Sequence, residues 1–354
     1  MAEAEVRAAF AKQAAICTAS GAPFTGRVCG LIGTRLDRTS PVGRRVLDWP
    51  GNPSHEGDAL PLRLAGGLHD LARSGTSPAL AALYPPHVSP EDDAAVWAVL
   101  SACLASSAAE IDPWLDGPPQ TNEIGRSAGL MAGLLVLSER FGLPFSLYEL
   151  GASAGLNSLL GRYGFRLGET LAGDPASPVQ LAPEWRGASP PSGSVRVATR
   201  RGVDMKPLDV SAAETRRRLS AYVWADQRER LARLNGALDL ARASPPRVDR
   251  ADAADWLETH LALKPEPGVC RVVMHTIAFQ YFPAEAQARI RAHMDRVGAA
   301  ATAEAPLAWL TYEAEGDGFE RWPVLRLRTW PGDGEAVRLA KGHPHGAWYE
   351  WGRG

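Results

Sequence analysis

Apolar residues recur at helical spacing through the first 143 residues of the chain. Val6, Phe10 and Cys17 mark one side of a first helix, and the same spacing returns in residues 60–71 and 94–111. Side chains three and four positions apart lie on the same face of a helix, where they can be buried together. The pattern therefore predicts an N-terminal region that is helical throughout.

A short apolar run, residues 145–150, stands between Pro144 and Gly151 and is typical of a buried strand. Leucines return at helical spacing from Gly155 onward, so the segment predicts a strand, a tight loop and a helix. Small residues in the loop allow a ligand to approach the main chain, and the amides that begin the helix point towards it. Glu149, at the end of the strand, can accept hydrogen bonds from that ligand.

Strand-like and helix-like segments alternate through the rest of the chain. Residues 269–279 are apolar almost throughout, as in a parallel strand that is covered on both faces. Residues 168–194, rich in Pro, Gly and Ser, predict an irregular insertion. The predicted strands are 195–199, 248–252, 269–279, 307–312 and 324–330, with 336–339 and 348–351 able to complete an antiparallel edge. The pattern predicts an α/β protein with a mostly parallel sheet.

The length of 354 residues exceeds that of a usual single domain, which agrees with two units. We expect an all-helical lid or substrate domain over residues 1–118 and an α/β domain over residues 119–354. A hydrophobic content of 45% supports packed cores. The net charge of −2 gives no overall attraction to nucleic acid or to an anionic membrane.

Cysteines, histidines and the N-terminus bear on metal binding and location. The four cysteines, at positions 17, 29, 103 and 270, include no C-x-x-C pair, which argues against zinc and against a disulfide scaffold. His343 and His345 lack a third ligand nearby, so no metal site is predicted. The charged N-terminus lacks the apolar segment of a signal peptide, and no stretch reaches membrane-spanning length. We therefore expect a soluble, cytoplasmic protein.

The loop after residue 150 fits several kinds of site. Glu149-x-Gly151-x-Ser153-x-Gly155 looks like the first motif of class I S-adenosylmethionine-dependent methyltransferases, whose acidic residue and glycines hold the methionine and ribose parts of the cofactor. Residues 151–155 also satisfy G-x-S-x-G, the pattern of a hydrolase nucleophile elbow. The dinucleotide pattern G-x-G-x-x-G is not matched, because serine and leucine occupy its second and last glycine positions. A tight turn between buried elements is the remaining alternative.

A polar cluster precedes this strand, at the start of another helical segment. Thr121 or Asn122 can cap that helix, and Glu123 and Arg126 lie three residues apart on one face. These residues could serve only as a cap and an ion pair. They could equally receive the carboxylate of a cofactor, or the substrate, because a helix N-terminus and an arginine both favour anions. The sequence leaves these two alternatives open.

Two long motifs and several short ones extend over nearly the whole chain. They are residues 120–126 and 149–157, then 201–204 with Pro207 and Asp209, 223–224, 280–281, 306–309, 330–332 and 345–346. In these motifs the sequence resembles the bacterial family known as domain of unknown function 2332. The resemblance implies a Rossmann-like domain of the methyltransferase type, preceded by a helical region.

On this basis we expect S-adenosylmethionine as the cofactor. Asp204 follows the second predicted strand, where nucleotide-binding sheets place the acid that takes the ribose hydroxyls; Glu169, at a more usual distance, is its rival. A turn role for Asp204 beside Gly202 is the alternative. Asp252 with Ala253 corresponds to the position that contacts adenine, although Asp252 is also a good helix cap. The expected cofactor residues are Glu149, Gly151, Ala152, Ser153, Gly155, Asn157, Asp204, Asp252 and Ala253.

The methyl acceptor is expected at the end of strand 269–279. His275 lies there, and histidine is suited to general-base chemistry near neutral pH, although it could instead hydrogen-bond within the core. The predicted function is methyl transfer to a small molecule or peptide. The expected catalytic residues are Arg126, His275 and Tyr281, and the expected substrate-binding residues are Asn122, Glu123 and Gln280.

Two other functions fit the same residues. A serine hydrolase would use Ser153, Asp252 and either His275 or His345, in that order along the chain. A nucleophile elbow normally follows several strands, whereas a helical pattern precedes this one. A nucleotide-binding module without catalysis would keep the pocket but methylate nothing. We expect neither nucleic acid nor a membrane as partner, and no pattern in the chain indicates an oligomeric state.

Overall fold

Two compact units make up the chain, of which the computed structural model describes residues 3–316, 322–332 and 334–352. The first unit consists of Met1–Thr121 and Ala213–Ala232. The second consists of Asn122–Ala212 and Arg233–Gly354. The segment Ala213–Ala232, which the pattern assigns to the α/β domain, thus groups with the N-terminal helices.

Helices form all of the regular structure before residue 145 in the described residues, which confirms the predicted helical N-terminal region. None of the described helices is by itself long and apolar enough to cross a membrane; Asp93–Ser106 and Ala108–Leu115 meet that test only as a pair, bent by 86°. The helices are α1 (Glu3–Ala19), α2 (Pro23–Arg35), α3 (Pro41–Leu47), α4 (Leu60–Ser74), α5 (Pro78–Ala81), α6 (Asp93–Ser106), α7 (Ala108–Leu115), α8 (Ser127–Phe141), α9 (Ala213–Ala221), α10 (Arg228–Ala243), α11 (Ala253–His260) and α12 (Ala284–Ala299). Three 3-10 helices span Ile124–Arg126, Leu156–Arg162 and Phe279–Tyr281.

The strands all lie in the second unit, and they form one large and one small sheet. They are β1 (Phe145–Leu150), β2 (Gly164–Leu167), β3 (Thr170–Gly173), β4 (Gln180–Leu181), β5 (Glu184–Gly187), β6 (Val197–Asp204), β7 (Val248–Arg250), β8 (Cys270–Thr276), β9 (Leu307–Glu315), β10 (Trp322–Trp330), β11 (Val337–Gly342) and β12 (Trp348–Trp351). The strands predicted from residue 145 onward are therefore present, with boundaries that differ by three or more residues at β6, β8, β9 and β11.

The first unit is held together by apolar helix faces and by polar contacts to the returning segment. Asp226 accepts hydrogen bonds from the amides of Phe24 (2.7 Å) and Thr25 (3.0 Å) and from the Thr25 hydroxyl (2.7 Å). The first amides of a helix have no partner within that helix, so Asp226 caps α2 from a distant part of the chain. Asp70 of α4 likewise accepts 2.7–2.9 Å bonds from the guanidinium of Arg217 in α9. These contacts explain why α9 belongs to the helical unit.

A nine-stranded sheet runs through the second unit in the order β5-β12-β11-β10-β9-β8-β1-β6-β7. The strands β9, β8, β1, β6 and β7 pair with one another in parallel. The pairs β9–β10, β10–β11 and β11–β12 are antiparallel, and β5 joins β12 in parallel. The predicted α/β class, with a mostly parallel sheet and an antiparallel portion, is confirmed.

The five parallel strands reverse their order of addition at β1. In chain order, β6 and β7 are added on one side of β1, and β8 and β9 on the other. All seven residues of β8 are buried, as expected for a strand covered on both faces. At such a reversal point the carboxyl ends of the strands border a crevice in which doubly wound sheets bind ligands. The turn that follows β1 is at this position.

Residues 168–194 contain regular structure, which corrects the prediction of an irregular insertion. β2 and β3 form a hairpin around Gly168 (φ +61°) and Glu169, and β4 pairs with β2 to complete a three-stranded sheet. β5 then adds to the large sheet beside β12. These strands are two to four residues long, which is too short for an alternating pattern to stand out among the prolines and glycines.

Candidate functional site

β1 runs into a tight turn at the reversal point. Gly151, Ser153 and Gly155 have φ values of +67°, +54° and +72°, a region that favours glycine. A Cβ atom at Gly151 would lie 2.6 Å from the Cβ of Ala278, and one at Gly155 would lie 2.8 Å from Pro246. The sequence predicts that a ligand approaches the main chain in this loop. At these two glycines, side chains of the protein occupy that space instead.

Amides of the turn donate to acceptors within the protein, so they do not form an open cradle for phosphate. The acceptors come from the turn and from the neighbouring strand and loop. The bonds are Ala152 N to Val203 O (3.0 Å), Ser153 N to Asp204 Oδ2 (2.8 Å), Gly155 N to Ala152 O (2.7 Å) and Leu156 N to Asn122 Oδ1 (2.9 Å). A phosphate group would have to displace these bonds.

The segment after the turn is helical, as predicted, but it is the 3-10 helix Leu156–Arg162. The carbonyl of Leu156 accepts a 2.6 Å hydrogen bond from the hydroxyl of Tyr163, the residue that follows this helix. The amide of Ser158 donates to the carbonyl of Gly155 at 3.2 Å, the i to i+3 pattern of a 3-10 helix. The leucine spacing does not distinguish between the two helix types.

Glu149 is 3% exposed, and its carboxyl group contacts the segment that follows the turn. The side chain of Asn157 and the amide of Ser158 hydrogen-bond its carboxyl group, and Ser127 donates to Asn157 Oδ1 at 2.8 Å. Burial raises the pKa of Glu149 to about 8; these hydrogen bonds oppose the rise and the charge of Asp204 adds to it. The acid form therefore predominates at neutral pH. Its Oε2 atom is buried and has no hydrogen-bond partner among the described residues.

Asp204 ends β6 and ties that strand to the turn. Its Oδ2 accepts from the amide of Ser153 and its Oδ1 from the amide of Lys206, both at 2.8 Å. The hydroxyl oxygen of Ser153 is buried without a partner in the described part of the chain. Glu169, the rival acid, is exposed in the β2–β3 turn, where its amide donates to Ser189. Of the two, only Asp204 contacts the turn after β1 in these hydrogen bonds.

Asp252 and Ala253 lie where β7 leads into α11, at the same edge of the sheet. Asp252 Oδ1 accepts from the amides of Ala254 (2.8 Å) and Asp255 (3.2 Å), so it acts as the N-cap of α11. Ala253 is buried. The amide of Ala251 donates to the carbonyl of Asp204 at 3.3 Å. The ends of β6 and β7 are thereby linked.

The polar residues before α8 serve mainly as internal acceptors and donors. Asn122 Oδ1 holds the amide of Leu156, and Glu123 accepts from the amide of Gly125 at 2.9 Å as the cap of the 3-10 helix Ile124–Arg126. Capping, one of the two alternatives left open by the sequence, is thus observed for Glu123. Asn122 instead connects this segment to the turn after β1.

Arg126 brings a positive charge to the end of β8. Its Nη1 donates to the carbonyl of Thr276 at 3.0 Å, and its Nε donates to the carbonyl of Pro344 at 2.9 Å. A Cβ atom at Gly125 would lie 2.2 Å from the carbonyl oxygen of His345, so only glycine allows this approach. The motifs at 120–126 and 345–346, far apart in the sequence, are therefore in contact.

His275 lies near the end of β8, is 2% exposed and uses both ring nitrogens. Its Nε2 accepts from Trp309 Nε1 at 3.0 Å, and its Nδ1 lies 2.6 Å from Glu313 Oε1. Because tryptophan is a donor only, the proton of the neutral imidazole is on Nδ1 and is donated to Glu313. The remaining two predicted residues, Gln280 and Tyr281, lie in the 3-10 helix Phe279–Tyr281, where Tyr281 is 66% exposed.

Glu313 is a residue of this region that sequence reasoning missed. It occupies a strand whose preceding residues are almost all apolar, and a carboxylate there is the signal that could have identified it. Among the described residues no group of three or more His, Cys, Asp or Glu side chains could hold a metal ion. The amide of His345 donates to His343 Nδ1 at 3.1 Å, so this pair makes a local turn contact.

Comparison with known proteins gives a family for the chain. A comparison with curated proteins found no match. The model of the family described as "Uncharacterized protein conserved in bacteria (DUF2332)" matches residues 7–351, nearly the full length. The chain therefore belongs to this bacterial family, DUF2332.

Proposed function

We propose that the second unit is a Rossmann-like methyltransferase domain that binds S-adenosylmethionine and transfers its methyl group to a small-molecule or peptide acceptor. The observation that carries the proposal is that Glu149, Asp204 and Asp252 lie at or just beyond the carboxyl ends of three adjacent parallel strands, β1, β6 and β7, beside the reversal point at β1. Ligands of doubly wound sheets bind at this point.

Three groups at this edge have capacity left for a cofactor. Glu149 Oε2 and Ser153 Oγ are buried and make no hydrogen bond within the described residues. Asp204 accepts one amide bond on each oxygen, and a carboxylate has about four acceptor positions, so room remains for two ribose hydroxyls. Asp252 and Ala253, at the start of α11, would border the adenine. The bound cofactor would supply an electrophilic methyl group, and the protein would hold it and exclude water.

The hydrogen bonds of the turn favour an adenosyl ligand over a dinucleotide. A pyrophosphate is normally held by free amides at the start of the helix after the first strand. Here the amides of Ser153 and Leu156 are bonded to Asp204 and Asn122. An adenosyl sulfonium carries no phosphate and does not need them.

On the acceptor side, Arg126 and Tyr281 are the residues best suited to bind substrate. Arg126 places its guanidinium at the end of β8, and the exposed ring of Tyr281 follows the same strand. A carboxylate on the acceptor would pair with the guanidinium. His275 has no general-base role in this proposal, because Trp309 and Glu313 occupy its two nitrogens.

Calorimetry with S-adenosylmethionine and S-adenosylhomocysteine tests the proposal. We expect one site per chain. Asp204→Asn, which removes the charge but keeps one side-chain oxygen to accept from a backbone amide, should weaken binding about 10-fold or more, since hydrogen bonds to a charged group contribute about 1.5–3 kcal/mol. Glu169→Ala removes the exposed rival acid and should bind as the wild type does. Failure of both ligands to bind at millimolar concentration would remove the cofactor hypothesis. Binding without methylation in a broad acceptor screen would favour a non-catalytic module.

A serine hydrolase is the second candidate, favoured by the left-handed conformation of Ser153 at the tip of a strand–turn–helix. Its contacts fit less well. The Ser153 hydroxyl makes no hydrogen bond to a described histidine, Asp252 caps α11, and both nitrogens of His275 are engaged. We expect no labelling of Ser153 by a fluorophosphonate probe. Stoichiometric labelling that is lost in Ser153→Ala would favour the hydrolase instead.

A further inference from the structure

Glu313, whose side chain is 16% exposed, lies beside the buried His275 in an arrangement that the proposed cofactor site does not use. In the parallel pairing of β8 with β9, His275 lies opposite Thr311 and Thr276 opposite Tyr312. Glu313 is therefore one position beyond the last residue of β8, at the carboxyl edge of the sheet. Because side chains alternate along a strand, it projects to the same face as Thr311 and Trp309.

One carboxyl oxygen of Glu313 accepts three hydrogen bonds from within the protein. Oε1 accepts from His275 Nδ1 (2.6 Å) and from the amides of Ala278 (3.0 Å) and Phe279 (3.2 Å). Burial acts to raise the pKa of Glu313, but these hydrogen bonds outweigh it and leave the pKa below its ordinary value. The carboxyl group is thus a carboxylate at neutral pH, and three donors fix its orientation.

The other carboxyl oxygen of Glu313 differs in its hydrogen bonding. Oε2 is shielded from solvent and has no hydrogen-bond partner among the described residues. The ring of His275, which is hydrogen-bonded to the carboxylate, lies 4.8 Å from the ring of Phe279 and 5.8 Å from that of Trp309, measured between ring centroids. A charged oxygen that is shielded from water and has no donor is unfavourable, so a bound donor would stabilise it. A cationic donor compensates the buried negative charge best, and a charge-assisted hydrogen bond is strengthened in such surroundings.

We propose that Glu313 Oε2 binds an N–H group of a small primary amine or ammonium ligand, with His275 as the positioning residue that aims the carboxylate. The binding of this amine does not depend on the proposed function. Since Oε2 is enclosed, the ligand reaches it only with a local displacement of the surrounding chain. The site lies past β8, whereas the proposed cofactor residues follow β1, β6 and β7.

Methylammonium and tetramethylammonium chlorides distinguish hydrogen bonding from simple charge attraction. Both are small cations, but only methylammonium has N–H donors. At matched ionic strength, saturation-transfer NMR should detect methylammonium on the wild-type chain and no tetramethylammonium. The His275 Nδ1–H proton resonance should also shift with methylammonium alone, which a purely structural histidine would not do. Equal binding of the two ions, no binding of methylammonium, or an unmoved His275 resonance would overturn the proposal.

Glu313→Gln is the matched variant. The amide oxygen can still accept from His275, Ala278 and Phe279, while the NH2 group replaces the acceptor Oε2 with a donor. Methylammonium binding should weaken at least 10-fold; unchanged binding would refute the site. If the variant does not fold, the comparison of the two ions on the wild type still decides. S-adenosylhomocysteine titrations test the proposed function separately, because its binding to the wild type does not depend on the methylammonium result.

Discussion

Glu149→Gln tests the electrostatics of the turn after β1. The wild-type carboxyl group is 3% exposed, and burial raises its pKa to about 8. Glutamine has nearly the same shape, can accept the bonds from Asn157 and Ser158, and cannot ionise. The variant therefore imitates the protonated native state at every pH.

The expected size of the effect follows from linkage between protonation and folding. Between the ordinary pKa of 4.5 and the native value of about 8, native Glu149 keeps a proton that the unfolded chain has lost. The native state binds more protons in this window, so the free energy of unfolding of the wild type falls as pH rises. At about 1.4 kcal/mol for each unit of pKa, the loss has an upper value of about 5 kcal/mol.

Urea unfolding at pH 5, 6, 7, 8 and 9, followed by circular dichroism, measures this difference. The two proteins should differ least at pH 5, and Glu149→Gln should become progressively the more stable of the two towards pH 9. Contributions from histidines cancel in the comparison. Glu169→Gln, which changes an exposed acid, should follow the wild type. Parallel stability curves for Glu149→Gln and the wild type would refute a raised pKa at Glu149.

Two further substitutions test the packing of each unit. Gly155→Ala should destabilise the second unit by several kcal/mol in thermal unfolding, because Cβ would lie 2.8 Å from its neighbours. Gly142→Ala is the control, since Gly142 also has a positive φ but has open space around it. Its free energy of unfolding should fall by only about 1–2 kcal/mol. Asp226→Ala removes the cap of α2 and leaves the amides of Phe24 and Thr25 without their acceptor, so the first unit should lose about 2–4 kcal/mol in urea unfolding. A loss below about 0.5 kcal/mol would contradict the capping role.

The apolar strands were predictable, whereas strands with polar residues were not fully so. β1 and β8 are buried almost throughout; the apolar run of β1 has close to the observed bounds, whereas that of β8 was predicted to end at residue 279 and the strand ends at Thr276. β6 was predicted over 195–199 but spans Val197–Asp204. Its extension contains Arg201, which pairs with Asp249 at 2.5 Å and lies over the ring of Trp256 at 5.9 Å. Contacts between distant segments stabilise this part of the strand, and no local pattern records them.

In the candidate site, the positions of residues were predicted better than their hydrogen-bond partners. The sequence selects His275 for its position at the end of an apolar strand, and the structure has it there. Its partners Trp309 and Glu313 come from β9, more than 30 residues later in the chain. Which nitrogen carries a proton depends on those partners, so a sequence without contacts cannot determine it. The same limit applies to Glu313, whose importance is visible only once Oε1 and Oε2 are seen to differ.

Hydrogen-bond capacity separates the residues that hold this site together from those that can bind a ligand. Asn122 Oδ1, Glu123 Oε1 and Asp252 Oδ1 accept hydrogen bonds from backbone amides of the protein. Replacing any of them would disturb a turn or a helix start whether or not a ligand binds, so loss of activity alone would not identify a contact. Glu149 Oε2, Ser153 Oγ and Glu313 Oε2 are buried without such a partner in the described chain. A buried polar atom left in this state is unfavourable unless something else bonds to it, and these three atoms are therefore where ligand contacts should be sought first.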